Sequence, residues 1–239
     1  MRSLRQLFTM LCMGLMALFT LPAHAASFEE LQSLQDGGYR ITNQIFMYAI
    51  LEKAGERRKD VNRLVAALDP RVAALGDKEA SATWQALRSS VANDPYYNGE
   101  VAQQQLYTIE DNATRFTQAL ERLIPADTDP KKMAVHDLVK RMHIMMMIYL
   151  RNSADPMGGA NYSGINSGIS LENLPAEFTA KLAAVEKSQR AMAPAIAKIK
   201  PKWAFLSPRI ASFNEKTVPY LVDIYCRQII DLLMAATPN

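Results

Sequence analysis

The stretch GEVAQQQLYTIEDNATRFTQALERLI, residues 99–124, decides the fold. Leu106, Ile109, Ala113, Phe116, Leu120 and Leu123 recur at alternating intervals of three and four. That spacing lays a single apolar stripe along a helix and does not match the period of two of a half-buried strand. Pro125 stops this helix, because it has no N–H to donate and its ring crowds the preceding turn. Thr128-Asp129-Pro130 starts another, with the proline in the first turn, where a missing N–H costs nothing. The spacing carries that helix to about Asn152.

The same signals extend in both directions. Towards the N-terminus, Asp77 can cap a helix carrying Trp84, Leu87 and Val91, which stops near Asn93-Asp94-Pro95. Asp69-Pro70 and Gly76-Asp77 punctuate the turn before it. A long helix is expected over 39–68, with Ile41, Ile45, Tyr48 and Ala49 as a first stripe and Val61, Leu64, Val65 and Leu68 as a second. Between them the charged run 52–60 reads as a solvated face laced with i,i+4 pairs. Ser27 and Glu30 form a capping box opening a short helix, expected to break or bend at Gly37-Gly38 because glycine weakens a helix interior by about 1 kcal/mol.

Towards the C-terminus, residues 153–172 hold Gly158, Gly159, Gly164 and Gly168 among Ser, Asn and Pro, with no helical period. A loop of that length is either functional or disordered. It lacks the Gly-x4-Gly-Lys-Ser/Thr order of a phosphate loop, and no strand precedes it. Helices resume over 174–200, around Trp203 and over 214–235, with Pro194 expected to kink the first and Pro219 to bend or delay the last. The fold expected is all-α, an antiparallel helical bundle, with two tandem bundle modules over 26–127 and 128–239.

The ends and the charge bound the rest. Residues 1–25 open with Arg2 and Arg5, continue apolar through 7–21 and close on Ala23-His24-Ala25, the three regions of a cleaved secretory signal. Its removal lowers the formal charge from +3 to +1. A near-neutral protein is a poor partner for nucleic acid. Cys12 leaves with the signal, so Cys226 remains alone and no intramolecular disulfide can form. A cysteine-poor exported chain fits a bacterial periplasm. No later run approaches the roughly 18 apolar residues of a membrane span.

Two segments pair at a distance. Residues 44–51 lie on 143–150 at an offset of 99, and Thr83-Trp84-Gln85-Ala86-Leu87 lies on Lys202-Trp203-Ala204-Phe205-Leu206 at an offset of 119. The difference of 20 is about the length of the Gly-rich insertion. An internal duplication and a chance likeness of Ala/Leu-rich helices both account for this. A long amphipathic helix, a second helix and then Trp84-Gln85-Ala86-Leu87-Arg88 resembles the unit of type IV pili methyl-accepting chemotaxis transducer sensor domains, the PilJ type; nitrate-sensor kinase ectodomains look related. The likeness covers 39–91 and, less closely, 138–210. The family's Gln-Arg-Met-x-Ser-Gln signature would fall near Arg40-Ile41-Thr42-Asn43-Gln44, where the polar character alone is kept. The resemblance implies a periplasmic helical bundle that senses a ligand or partner.

Chemistry could reside in few places. Residues 133–147, MAVHDLVKRMHIMMM, carry two histidines and five methionines. In an exported protein these residue types suggest copper, with His136, His143 and Met147 as ligands on the face opposite Val135, Leu138, Met142 and Met146. The histidines are seven residues apart, about 10.5 Å along a helix, and Lys140 between them disfavours a cation. Arg40, Asn43 and Gln44, at i, i+3 and i+4, put three hydrogen-bonding groups on one helix face beside Gly37-Gly38, where a bundle could hold a small anion; an ordinary solvated face is the alternative. Cys226 follows Val222 and precedes Ile229 and Ile230 at helical spacing, as a buried small hydrophobe does, though a lone thiol could bridge a homodimer. Pro95-Tyr96-Tyr97-Asn98-Gly99 is a surface recognition candidate. No Gly-x-Ser-x-Gly or His-Glu-x-x-His occurs. The reading is a non-enzymatic, cofactor-free periplasmic protein, sensor-like or accessory, that recognises a small ligand or an envelope protein. A copper-binding protein and a helical enzyme of unrecognised type are the alternatives.

Overall fold

Ser27 opens the first helix by accepting the Glu30 N–H at 3.1 Å, the serine half of the expected capping box, while the Glu30 carboxylate pairs with Arg71. A computed structural model describes residues 26–51, 55–92, 103–155, 157–160, 162–213 and 215–237. Residues 1–25 with Cys12, the 95–99 stretch and the first part of the charged run lie outside the described residues. Among the described residues eight α-helices follow one another: α1 (Phe28–Ile50), α2 (Gly55–Ala74), α3 (Lys78–Val91), α4 (Gln103–Glu121), α5 (Pro130–Ala154), α6 (Leu174–Ser188), α7 (Ala193–Ala211) and α8 (Pro219–Ala236). Among the described residues no strand forms, and no helix is long and apolar enough to cross a membrane. The chain is an all-α antiparallel helical bundle.

Local chemistry accounts for most boundaries. Asp77 caps α3 by accepting the Ala80 N–H at 2.7 Å, and Asp129 caps α5 through Lys131 with Pro130 in the first turn. On α4, Leu106, Ile109, Ala113, Phe116 and Leu120 are buried, and Leu123 packs against the core just beyond its end. Helix α1 does not break at Gly37-Gly38. A Cβ on Gly37 would stand 2.7 Å from Leu68, and one on Gly38 would stand 2.9 Å from the Phe116 ring. The glycines are there so that α2 and α4 can press onto α1, and the chain turns after Ile50 instead. Pro194 kinks nothing, since it lies in the first turn of α7; the break comes at Gln189, followed by a 3-10 turn over Arg190–Met192. Pro70, Pro201 and Pro208 sit inside helices on exposed faces, where the carbonyl each leaves unpaired can turn to water.

The helices pack as two rings of four. In the first, Arg71–Glu30 and Arg57–Gln44 run α2 antiparallel to α1, Trp84–Asp69 does the same for α3 on α2, and Asn112–Ala86 for α4 on α3. Helix α4 returns to α1, where Gln35 donates to the Thr117 carbonyl. In the second ring Arg141–Glu177 joins α5 to α6, Lys200–Glu186 joins α6 to α7, and Lys202–Gln228 joins α7 to α8. Helix α8 returns to α5, and the Tyr149 hydroxyl accepts the Val218 N–H at its start. The rings meet through α1 and α5, which run parallel: Lys132 pairs with Glu29 near their starts and His143 with Asp36 further along. One hydrophobic core draws on all eight helices. Trp84 and Trp203 each sit on the third helix of their ring and donate the indole N–H to the second, to Asp69 at 2.7 Å and Thr179 at 2.9 Å.

Candidate functional site

Helix α1 touches α2, α4, α5 and α8, so it has little free face. The positions Arg40, Asn43 and Gln44 fall where α1 meets α2, α5 and the second ring's last helix. They line one cleft of about 200 Å³. Asp60, Arg63 and Leu64 of α2 face them across it, and Met146 of α5 and Arg227 of α8 complete the wall. The sequence brings out the three α1 residues; the other five come from distant helices, and the charged run around Arg63 reads only as a solvated face.

The polar groups of this cleft differ in how fully they are used. Arg40 Nε lies 2.7 Å from Asp36, and its Nη2 donates to Asp231 at 2.9 Å. Arg63 pairs with Asp60. Gln44 Oε1 accepts from Arg57 Nη1 at 2.6 Å, and Arg227 Nη2 donates to Asp223 at 2.6 Å. Burial pushes the Asp223 carboxyl above its usual range, because Arg227 and Arg57 offset only part of the lost solvation. Burial also raises Asp36, but His143 and Arg40 outweigh it and hold that carboxyl below its usual range. Asn43 stands apart. It is 2% exposed, and neither its Nδ2 nor its Oδ1 has a hydrogen-bond partner among the described residues. A buried primary amide with both ends unspent costs a protein stability unless something else meets it.

The Met/His helix is arranged otherwise than its sequence suggests. His136, His143, Met147 and Arg151 are all buried, because the face of α5 opposite its main stripe packs against α1 and α4. His143 stacks on Tyr39 at 4.6 Å and lies 3.1 Å from Asp36 Oδ1, while His136 meets the Phe28 ring edge-on at 5.6 Å. Met147 belongs to the core. Among the described residues no three His, Cys, Asp or Glu side chains are placed to hold one ion. Cys226 is fully buried and burial pushes its thiol pKa up, so a bridge between copies would require α8 to open.

The Gly-rich segment is held by polar side chains of α4. Asn166 donates to Glu110 and Thr114, Tyr162 to Asp111, and Asp155 accepts from Tyr107, Gln103 and the Met157 and Gly159 amides. Gly159, at φ +83, takes a left-handed turn that a side chain would resist. Arg151 Nε is 2.8 Å from the buried Glu110 carboxylate, and its guanidinium lies 3.9 Å from the Tyr162 ring. The sequence analysis does not single out this network: Arg151 follows the apolar run 144–150, but Glu110 stands beside Asp111 and Asn112 and carries no signal of its own. A second cleft of about 200 Å³ opens beside Arg151, and one of about 320 Å³ lies between α5 and α6. In the larger one the charges are spent on each other: Arg141 on Asp137 and Glu177, and Lys140 on Glu121. Of the three, the Asn43 cleft alone combines a wholly unspent buried amide with guanidinium groups from separate helices.

No protein-family model, no curated protein and no solved structure matches the chain.

Proposed function

We propose that this is a non-enzymatic periplasmic binding protein, sensor-like or accessory, that takes a small polar ligand in the Asn43 cleft. The observation that carries the reading is the Asn43 amide: buried, doubly unspent and in the wall of a cavity ringed by arginines. Such a group is kept where a partner completes it, since a leucine in its place would spare the desolvation of both polar ends. The export signal supports the compartment, and the likeness to PilJ-type sensor domains supports sensing in a helical bundle. The place of the cleft supports it too, because a ligand touching α1, α2, α5 and α8 would touch both rings at once.

Native mass spectrometry on protein purified from periplasm tests this directly. A retained small molecule is expected on the wild type and should be absent from Asn43→Leu. Wild-type protein of bare polypeptide mass, together with no shift in melting temperature across a panel of small periplasmic metabolites, would remove the reading.

A further inference from the structure

We infer that the outer seam between α7 and α8 is a docking surface for an acidic amphipathic helix of another protein; this surface is separate from the Asn43 cleft and does not depend on it.

Residues 190–211 carry five basic side chains and no acidic one. Lys200 is answered by Glu186 of α6. Lys198, Lys202, Phe205 and Arg209 follow one another at i, i+4, i+7 and i+11. That spacing aligns them within about 40° of each other over roughly 16 Å of helix. Lys198, Lys202 and Arg209 pair with no carboxylate among the described residues. Lys198 is exposed. Lys202 donates to the neutral Gln228 side-chain oxygen and lies 5.7 Å from the centre of the Tyr225 ring. Arg209 donates to the Phe205 carbonyl and lies 3.7 Å from the centre of the Phe205 ring. A carbonyl and two ring faces orient these cations and leave their charge unneutralised.

Helix α8 supplies the apolar half. Leu221, Tyr225, Gln228 and Leu232 repeat the same i, i+4, i+7, i+11 spacing. The Lys202–Gln228 bond and the Phe205–Tyr225 ring pair, 4.8 Å between centroids, set the two stripes in antiparallel register. Arg209 therefore comes level with Leu221, and Lys198 with Leu232. Phe205, Tyr225 and Leu221 are half-buried, and Tyr220 at the end of the seam is 52% exposed. The result is a line of unanswered cations beside an apolar line with an aromatic pair at its middle. A helix that lays its own apolar stripe on Phe205, Tyr225 and Leu221 brings Glu or Asp of like spacing to the three cations, while Lys or Arg there would be repelled. A membrane surface fits less well, because binding in the interface asks for large apolar side chains that project, and the aromatic pair is half-buried. The ridge of a helix reaches between two helices where a flat surface does not.

A display selection of random helix-forming peptides of about 18 residues, roughly 27 Å of helix, against the full protein tests this. Counter-selection uses a variant carrying Lys198→Glu, Lys202→Glu and Arg209→Glu, with its fold checked by circular dichroism. The enriched peptides are expected to be acidic, with apolar residues at three-and-four spacing. The best of them, synthesised, should bind Lys202→Gln and Arg209→Gln each about tenfold more weakly than wild type, and should weaken as salt is raised. Lys200→Gln, which removes only the cation answered by Glu186, should leave its affinity unchanged. Enrichment of neutral or basic peptides, or of none, overturns the inference. So does an acidic peptide that keeps its affinity for the triple variant, or loses as much with Lys200→Gln as with Lys202→Gln. Cosedimentation with vesicles of phosphatidylethanolamine and phosphatidylglycerol in equal parts, abolished in the triple variant, would assign the seam to a membrane and overturn it as well.

Discussion

Asn43 and His136 are both buried polar side chains, yet they make opposite demands on the protein. Asn43 → Leu removes an amide with no partner for either end among the described residues. The ligand-free protein should gain roughly 1–3 kcal/mol, read from urea unfolding, because desolvation of two polar groups is no longer required. Loss of stability instead would mean that the amide is satisfied in the free protein. His136 titrates. Burial holds its pKa below the ordinary imidazole value, against the pull of Glu121, while Lys140 and His143 push the same way as burial and Asp137 opposes it. A histidine kept neutral in the native state takes up a proton more readily once unfolded. Its contribution is therefore present above the unfolded pKa of about 6.5 and is lost as pH falls below it. Melting temperature should drop between pH 7 and pH 5, and His136→Phe should flatten that drop; an unchanged slope would assign the acid sensitivity to another group.

At the scale of the helix, the paired glycines of α1 show how one residue type carries two messages. By propensity Gly37-Gly38 should weaken the helix, and from sequence that is the stronger signal. In the fold the missing Cβ atoms let Leu68 and Phe116 reach the α1 backbone. Gly38→Ala gains about 1 kcal/mol of helix propensity, but it must displace the buried Phe116 ring, itself packed 5.2 Å from Trp84. Overpacking of this kind costs about 1–3 kcal/mol, so net destabilisation of about 1 kcal/mol is expected in chemical denaturation. Gly55, at the start of α2, has nothing within 4 Å of its notional Cβ. There Gly55→Ala should be neutral or stabilising by roughly 0.5 kcal/mol. Equal effects at the two sites would show that packing against α4 does not matter.

Across the whole molecule, the two rings share α1 against α5 and one continuous core. They should therefore unfold together despite each having four helices of its own. The two tryptophans report this without added labels, since Trp84 lies in the first ring and Trp203 in the second. In Trp84→Phe and Trp203→Phe variants the remaining indole follows the opposite ring. Fluorescence and circular dichroism transitions in guanidinium should coincide within each variant, as a two-state transition requires. A fluorescence transition that separates from the helical one would show that the rings come apart before the chain unfolds.

Much of this architecture is legible in the sequence because it is local. The three-and-four spacing from Leu106 to Leu120, the Asp77 cap and the Asp129-Pro130 helix start act within one or two turns. Arg40, Asn43 and Gln44 share a cleft for the same reason: their i, i+3, i+4 spacing already puts them on one face. The tertiary structure alone decided what lies opposite them. Arg63, Met146 and Arg227 reach the cleft from three other helices, over sequence distances that no periodicity spans. It also decided the second face of α5, where His136, His143, Met147 and Arg151 are buried although their helix already has a full apolar stripe. A sequence period reports how many faces a helix offers to the core nearest to it. Whether its polar face meets water or another bundle depends on contacts made a hundred residues away, and here the parallel packing of α1 on α5 turned that face inward.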